Sequence, residues 1–520
     1  MKHKIIYLGL AATVMLSSCK KEFVDRPSLT QPTEATYYTT PEQVLGASAL
    51  LYGFPWFDFH DKAFHSIGDL MSGNLYTGDG QYSSFMNFTV QGTDPRLAEA
   101  WRSFYKVAGW ANVLINTLEE KKAKGGDAAI LNPGIAEAKF IRGIAYFYIG
   151  RVWGAAPIVT DPVELAKTGD FNIPRSKAED VQRFAIENLR AAEADLPTTN
   201  VKGRATKMAA KAFLSKVYLW NKDYENAKIL SKEVIDSKQF DLFPDYVGMF
   251  TKSTLNNNIE SIFALQWMVV GDWGVQSTHQ AFLAPNNLLT GGDGWSAVIP
   301  SVDVQQNAWK DGDKRKEWST FTEGMSYPEW KNPAFPNGYV YYNDPNLAIP
   351  AGRTRNTTAT RSNVLKYVAG PGSNGEPVGF MRTAINTPML RFAEILLIYA
   401  EAVIGSGAST SDAAAVGAVN RVRKRAGLSD LAVVTKSDIL KERRAEFAFE
   451  GEYFYDLKRL PFAEAKAIIE AQERGTYNTN GTINSFKITG LTPAQMNLPL
   501  PQPEINANPA LLEAPTSYYK

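Results

Sequence analysis

Cysteine is all but absent: the 520-residue chain has one, Cys19. A single thiol cannot close an internal disulfide, so no covalent staple supports the fold. Histidine is nearly as scarce, with His3 at the very start and then only His60, His65 and His279. The one close spacing among them, from His60 to His65, lies in aromatic loop sequence and makes a weak metal signal. An excess of either charge is also missing, since 55 Lys and Arg face 54 Asp and Glu. The basic footprint of a nucleic-acid binder is therefore not there. Apart from Ile5 to Leu16, no apolar run approaches the roughly 18–20 residues that span a bilayer. Neither a glycine-rich nucleotide loop nor a Ser-His-Asp arrangement occurs.

What is present begins with an address. Residues 1–19 combine basic Lys2 and Lys4, the apolar stretch Ile5 to Leu16, two small residues and the lone cysteine. That is the layout of a secretory signal. Leu16-Ser17-Ser18-Cys19 resembles the bacterial lipobox, in which cleavage before the cysteine is coupled to its acylation. Three acyl chains exceed the two signals that stable anchoring needs, so Cys19 is the expected lipidation site. Lys20 stands where an aspartate would resemble an inner-membrane retention signal, which favours the outer membrane. From Lys20 to about Thr40 the chain is polar, carries Pro27 and Pro32, and reads as a linker.

A length of 520 suits about three to four domains of roughly 150 residues, but the patterning argues for one body. Ala136 to Trp153 places Phe140, Ile144 and Phe147 on one stripe and Ile141, Tyr148 and Val152 on the next, a helix buried on a wide face that stops at Gly154 and Pro157. Ala210, Phe213, Leu214 and Val217 follow helical spacing; after Asn221-Lys222-Asp223, Ala227, Leu230, Val234 and Ile235 repeat it. This helix pair with a tight turn resembles a tetratricopeptide unit. A second helical block is expected from Thr387-Pro388, read as an N-cap with proline in the first turn, through Phe392, Ile395, Leu396, Tyr399, Ala402 and Val403. Further helices are expected at about 411–426 and 437–450. Such pairs cannot bury their apolar faces alone, so the two blocks should stack together.

Between the blocks, from about Asn256 to Asn386, helical periodicity fades and tryptophan accumulates. Trp267, Trp273, Trp295, Trp309, Trp318 and Trp330 are six of the eleven in the chain. Several sit in turn sequence, as in Gly271-Asp272-Trp273-Gly274 and Gly291-Gly292-Asp293-Gly294-Trp295, where a large ring is hard to bury completely.

Eight pieces in order carry a resemblance: the lipobox, EAKFIRGIAYFYIGRVWGAAPIV (Glu137 to Val159), PRSKAEDVQRFAIENLRAAEADLP (Pro174 to Pro197), GRATKMAAKAFLSKVYL (Gly203 to Leu219), LRFAEILLIYAEAV (Leu390 to Val403), NRVRKRAGL (Asn420 to Leu428), ERRAEFAFEGEYFYDLKRL (Glu442 to Leu460) and PLPQPEINANPAL (Pro499 to Leu511). Together they resemble the SusD/RagB family of Bacteroidetes outer-membrane lipoproteins. The resemblance implies a mainly α fold: a SusD-like α/α superhelix of tetratricopeptide-like helix pairs with a large, loop-rich insertion containing little β structure. It also implies a cell-surface nutrient-binding protein that is not an enzyme, uses no cofactor, and passes an oligosaccharide or a peptide to a SusC-like TonB-dependent transporter. The expected organisation is a signal peptide at 1–18, a lipid-anchored linker at 19–40 and one body at 41–520. Within that body the scaffold covers about 95–250 and 387–465, the ligand-side insertion about 256–386 and a closing segment 466–520.

Carboxylate pairs are the enzymatic temptation, because glycoside hydrolysis needs two. Glu394 and Glu401 are seven apart, and Glu442, Glu446 and Glu450 repeat at four. Like charges on one stripe repel unless cations intervene; Arg391, Arg421, Arg423, Arg425, Arg443 and Arg444 are near in sequence, so an Arg-Glu network fixing helix packing is expected. Asp311 and Asp313 lack the ligand density of a calcium loop and read as a charged turn. The better candidates are aromatic. A sugar ring has an apolar C–H face within a polar rim, which suits flat rings edged by amides and carboxylates. Tyr76 and Tyr82 in one loop, and Trp273, Trp295 and Trp330 beside Asp272, Asp293 and Asn332 in the insertion, fit that requirement; for each tryptophan, structural packing stays open as the alternative. Trp101, Trp110, Trp153 and Trp220 fall in helical pattern and are expected in the core. A peptide-capturing member, or a tetratricopeptide scaffold for a protein partner, are the other functions the sequence allows.

Overall fold

The computed structural model describes residues 37–286, 288–289 and 293–519. Cys19 and the linker up to residue 36 lie outside the described residues. The helices that build the scaffold are α1 (Pro41–Ala49), α2 (Pro95–Ala123), α3 (Ala128–Trp153), α4 (Ala178–Asp195), α5 (Lys207–Trp220), α6 (Tyr224–Asp236), α7 (Phe392–Ile404), α8 (Ala413–Arg425) and α9 (Lys436–Glu446). Their starts are chemically marked. Asp94, Asp127, Thr206, Asp223, Asp412 and Thr435 each accept a first-turn backbone N–H with the side chain, as a helix N-terminus requires.

The helices from α2 to α8 pack each on the next, and α9 packs on α7. Every residue of α3 from Phe140 to Trp153 is buried; this stretch is covered all round, and its two charged residues are partnered inside, Arg142 by Asn112 and Asn188 and Arg151 by Glu452. Gly143 and Gly150 bring α4 close: a Cβ at either would meet Leu189 at 2.8 Å or Gln182 at 2.2 Å. Phe140 on α3 meets Phe213 on α5 at 5.5 Å and Phe263 at 5.2 Å between ring centroids. Each such ring contributes about 1.5–3 kcal/mol by burial. The contact of α6 with α7 joins the two halves of the scaffold across the whole insertion.

Strands are short. Those that position the site are β1 (Leu75–Tyr76), β2 (Ser261–Leu265), β3 (Ile299–Pro300), β4 (Val378–Gly379), β5 (Arg382–Thr383) and β6 (Thr387–Arg391). β2 and β6 pair antiparallel, so the insertion leaves and rejoins the scaffold at one neck. This corrects the expected helix start at Thr387-Pro388: those residues are strand, and the helix begins at Phe392 after Arg391 in extended conformation. The apolar run Met389-Leu390 is compatible with either period, and a partner strand far earlier in the chain decides it. The helix expected at 437–450 ends at Glu446, the backbone leaving helical geometry at Phe447, and the chain then turns with a φ of 68° at Phe449.

Buried charge ties the insertion to the scaffold. Five cations, Arg315, Lys366, Arg391, Arg423 and Arg425, interlock with five carboxylates, Glu260, Asp313, Glu442, Glu446 and Glu450. Arg391 reaches Glu450 at 2.7 Å and Glu446 at 3.0 Å, Arg315 reaches Glu442 at 2.7 Å and Lys366 reaches Glu450 at 2.6 Å. Burial pushes the Glu446 carboxyl up, but the guanidiniums of Arg425, Arg391 and Arg315 overcome it and hold the group well below the usual carboxylate range. Asp313 is therefore not part of a surface turn; it is buried against Arg315 at 2.7 Å. A second set, Arg151, Lys216, Arg443 and Arg459 with Glu394, Glu401, Glu452 and Asp456, balances four against four. The carboxylate pairs considered for hydrolysis are thus each engaged by cations.

Candidate functional site: an aromatic face on the insertion

Two of the three tryptophans singled out in the insertion stand out from the surface. Trp273 is 51% exposed and Trp295 is 41% exposed. Trp273 follows Gly271, whose φ of 130° only glycine adopts readily, and Asp272 between them is exposed. The Trp273 ring meets Phe57 edge-on at 5.5 Å. Trp295 donates its backbone N–H to Ala281 O at 2.7 Å, and its ring stands edge-on to Phe282 at 5.1 Å. Each indole is supported from beneath by a phenyl ring, an arrangement worth about 0.5–1.5 kcal/mol beyond area burial.

The β4–β5 hairpin spans the two loops. At its tip Phe380 is 59% exposed, with its ring 6.4 Å from that of Trp295. Met381 donates its N–H to Asp293 Oδ2 at 2.7 Å, and burial pushes the Asp293 carboxyl up against that bond. Arg382 places its guanidinium 5.8 Å from the Trp273 ring and donates to Val269 O at 3.3 Å and Gly271 O at 3.1 Å. One short hairpin therefore fastens both tryptophan loops. Sequence reasoning does not find Phe380, because nothing local marks the tip of a hairpin whose strands are Val378–Gly379 and Arg382–Thr383 alone.

The loop carrying Tyr76 and Tyr82 reaches the same region. β1 pairs with β3, with Tyr76 opposite Ile299, and Thr77 Oγ1 donates to Ala297 O at 2.8 Å. Tyr76 is half-buried. Tyr82 is buried, and its ring packs 6.5 Å from Phe282, so it supports the face from below. Near Tyr82, burial pushes Glu99 up to about 7 in spite of Arg96 at 3.0 Å. Asp61, also raised by burial, adds to that shift.

Trp330 is not brought to this surface. It is buried, stacked on Tyr327 at 4.2 Å and 10° between planes, and covered by Gly370, where a Cβ would come within 2.7 Å of the indole. It edges a separate cavity of about 560 Å³ lined also by Asp245, Glu329 and Glu376. Asn332 donates its amide to Leu288 O and accepts the backbone N–H groups of Ala334 and Phe335 on its carbonyl. Of the helical tryptophans, Trp101 and Trp153 are buried and Trp220 is half-buried, edge-on to Phe147. Trp110 departs from the expected core position: it is 37% exposed, stacked on Phe54 at 5.7 Å. Phe54 packs in turn beneath Gly274, so Trp110 extends the aromatic band beyond Trp273.

Three histidines converge although the sequence keeps His60 and His65 far from His279. His60 and His279 stack at 3.8 Å, and His65 and His279 approach to 4.4 Å. Their nitrogens serve structure. His60 bonds Ser277 and Thr387, His65 bonds Asp69, and His279 bonds the His60 carbonyl. Burial depresses all three, His65 to about 3. Among the described residues no group of three or more His, Cys, Asp or Glu side chains is arranged to hold a metal ion.

Comparison with known proteins fits this architecture. A SusD family profile matches residues 260–519, and a second, described as starch-binding associating with outer membrane, matches 60–219. A SusD-like protein of Bacteroides ovatus is 32% identical over 100% of this chain and 98% of its own length. SusD-like protein P2 of Formosa agariphila is 29% identical over 76% of the chain and 77% of its length. A crystal structure with xylogluco-oligosaccharide superposes with a TM-score of 0.80 at 30% identity, covering 92% of this chain and 99% of that one. A laminarin-binding SusD-like protein shares the fold, with a TM-score of 0.68 at 23% identity over 91% of this chain and 98% of its own. The helical order, the profile across half the chain and a relative aligned along all of it agree: the chain belongs to the SusD/RagB family.

Proposed function

We propose that this protein captures an oligosaccharide on the face formed by Trp273, Phe380 and Trp295 and presents it to a SusC-like TonB-dependent transporter, held at the outer-membrane surface by lipid on Cys19. The observation that carries the reading is the strapped aromatic face: three exposed rings in two loops and a hairpin, on a chain similar over 92% of its length to a structure solved with xylogluco-oligosaccharide. Singly exposed rings are ordinary on a protein surface, but rings grouped on one face mark a binding surface. An open row of rings grips the C–H faces of successive sugars, and the exposed Asp272 next to Trp273 supplies a polar group at its edge. The reading is of a binder without catalysis, since the carboxylate pairs of the second helical block are held in ion pairs away from the rings.

Titration calorimetry with xylogluco-oligosaccharide, laminarin oligosaccharide and a peptide pool tests it. Trp273→Ala and Trp295→Ala should each weaken saccharide binding about fivefold, on roughly 1 kcal/mol per ring, with unchanged thermal midpoints. Unchanged affinity in both variants removes the face as the site, and binding of the peptide pool alone reassigns the ligand.

A further inference from the structure

A second concavity lies on the first half of α2, between the segment bearing Phe171 and the C-terminal helix Gln502–Ala507, and encloses about 560 Å³. That volume is in the range of small-ligand sites. The half-buried Tyr105 lines it, backed by the buried Trp101 with ring centroids 4.7 Å apart and planes tilted by 36°. Phe171 stands in the opposite wall, 56% exposed.

Two acceptors line the cleft. Asn508 donates its Nδ2 to Ile173 O at 2.8 Å, which fixes the amide, while its buried Oδ1 has no hydrogen-bond partner. A buried carbonyl left unpaired is costly and calls for a donor. Glu504 offers a carboxyl that burial pushes up and that Arg102 and the Trp101 indole N–H pull back. Rings with acceptors at their edge suit a ligand that has C–H faces and hydroxyl donors. At the rim Arg102 and Lys106 face Asp58 and Glu504, two cations against two carboxylates, so the mouth favours neither an anionic nor an ammonium ligand. Lys106 also borders the aromatic face, since its ammonium lies 5.5 Å over Phe54, the ring that carries Trp110.

We propose that this cleft is a second saccharide site, taking a short uncharged sugar against Phe171 and Tyr105, over the buried Trp101, with its hydroxyls toward Asn508 and Glu504. The proposal rests on the reading that the protein binds saccharide. The test uses the full chain labelled with 5-fluorotryptophan and titrated with cellobiose, laminaribiose and xylogluco-oligosaccharide, following the Trp101 fluorine resonance assigned from Trp101→Phe. In the Trp273→Ala/Trp295→Ala variant, the Trp101 signal should still shift with saccharide. Adding Phe171→Ala or Glu504→Gln should weaken that titration at least about fivefold. A Trp101 signal that stays fixed while that of Trp295 moves in the unmutated chain overturns the second site and leaves the aromatic face standing. Signals that both stay fixed overturn both, and a Trp101 shift indifferent to Phe171→Ala and Glu504→Gln overturns the cleft as its origin.

Discussion

Replacing Glu446 by glutamine keeps the volume of the side chain and removes one charge from a buried set of five cations and five carboxylates. Three guanidiniums lose a partner, but each retains another: Arg315 keeps Asp313 and Glu442, Arg391 keeps Glu260 and Glu450, and Arg425 keeps Glu260. Breaking one side of a buried pair costs about 3–5 kcal/mol, and the remaining partners place this change near the lower end. For a folded body of roughly 480 residues, an unfolding entropy of ~2.1 cal/mol/K per residue gives ~1 kcal/mol per degree. The expected loss is therefore about 3 °C in Tm by calorimetry. Removing a cation as well, in Glu446→Gln/Arg425→Met, restores the balance, and the double variant should recover at least about 1 kcal/mol of the loss. A single variant within about 0.5 °C of the unmutated protein, or a double variant in which the two losses simply add, would refute the reasoning. Hydrolysis of a bound oligosaccharide that Glu446→Gln abolishes at unchanged Tm would instead make the carboxylate chemical.

Arg382→Ala removes the bonds to Val269 O and Gly271 O that hold the Trp273 loop, and calorimetric affinity for xylogluco-oligosaccharide should fall about threefold with Tm unchanged, a loss of roughly one hydrogen bond of preorganisation. Glu99→Gln should stabilise the protein above neutral pH. The Glu99 carboxyl sits at about 7 in the folded state against about 4.5 unfolded, so its favourable share is complete below pH ~4.5 and lost as pH rises through 7, a difference of at most about 3 kcal/mol that solvent screening reduces. Urea midpoints of the two proteins should therefore coincide near pH 4.5 and separate by pH 8, and a constant gap would contradict the burial of Glu99. Gly68→Ala places a Cβ 2.3 Å from the Gly451 Cα, where backbone has to move, and should cost about 1–3 kcal/mol in urea unfolding; a neutral substitution would show that the helical segment at Gly68 and the turn at Gly451 slide freely.

The helical scaffold is legible because its signal is local. Phe140, Ile144 and Phe147 recur at helical spacing within one segment, and the turn Asn221-Lys222-Asp223 sits between two such segments, so α3, α5 and α6 follow from near neighbours in the chain. The departures share the opposite property. Thr387-Pro388 becomes strand because of Ala264 and Leu265, and Trp330 is buried because of Tyr327 and Gly370. Trp110 sits partly exposed in an otherwise core-like helix, its ring laid on Phe54 at the surface instead of inside. Trp273 and Trp330 have similar local sequence, rich in turn residues, and only distant packing separates an offered ring from a buried one. The same holds for the site as a whole. Composition points to the insertion and to the loop around Tyr76, but the pairing of β1 with β3 that joins them is set between segments far apart in the chain.

That dependence explains why the insertion is fastened with charge. Exposed rings hold a flat ligand only if their loops are fixed before it arrives, because ordering them on binding would offset the modest gain per ring. A loop-rich segment has few regular elements to fix its place, and apolar contacts alone permit it to slide over the helices. Hydrogen-bonded ion pairs are directional. Asp313, Arg315 and Lys366 come from the insertion and Glu260 from the residue just before the neck strand β2; Arg391, Arg423, Arg425, Glu442, Glu446 and Glu450 come from the second helical block and the strand leading into it. Each pair between the two sets specifies one position of the insertion on the scaffold. The two-strand neck of β2 and β6 sets where the segment starts and ends, the ionic set fixes how it lies, and the β4–β5 hairpin then needs to hold only its two tryptophan loops.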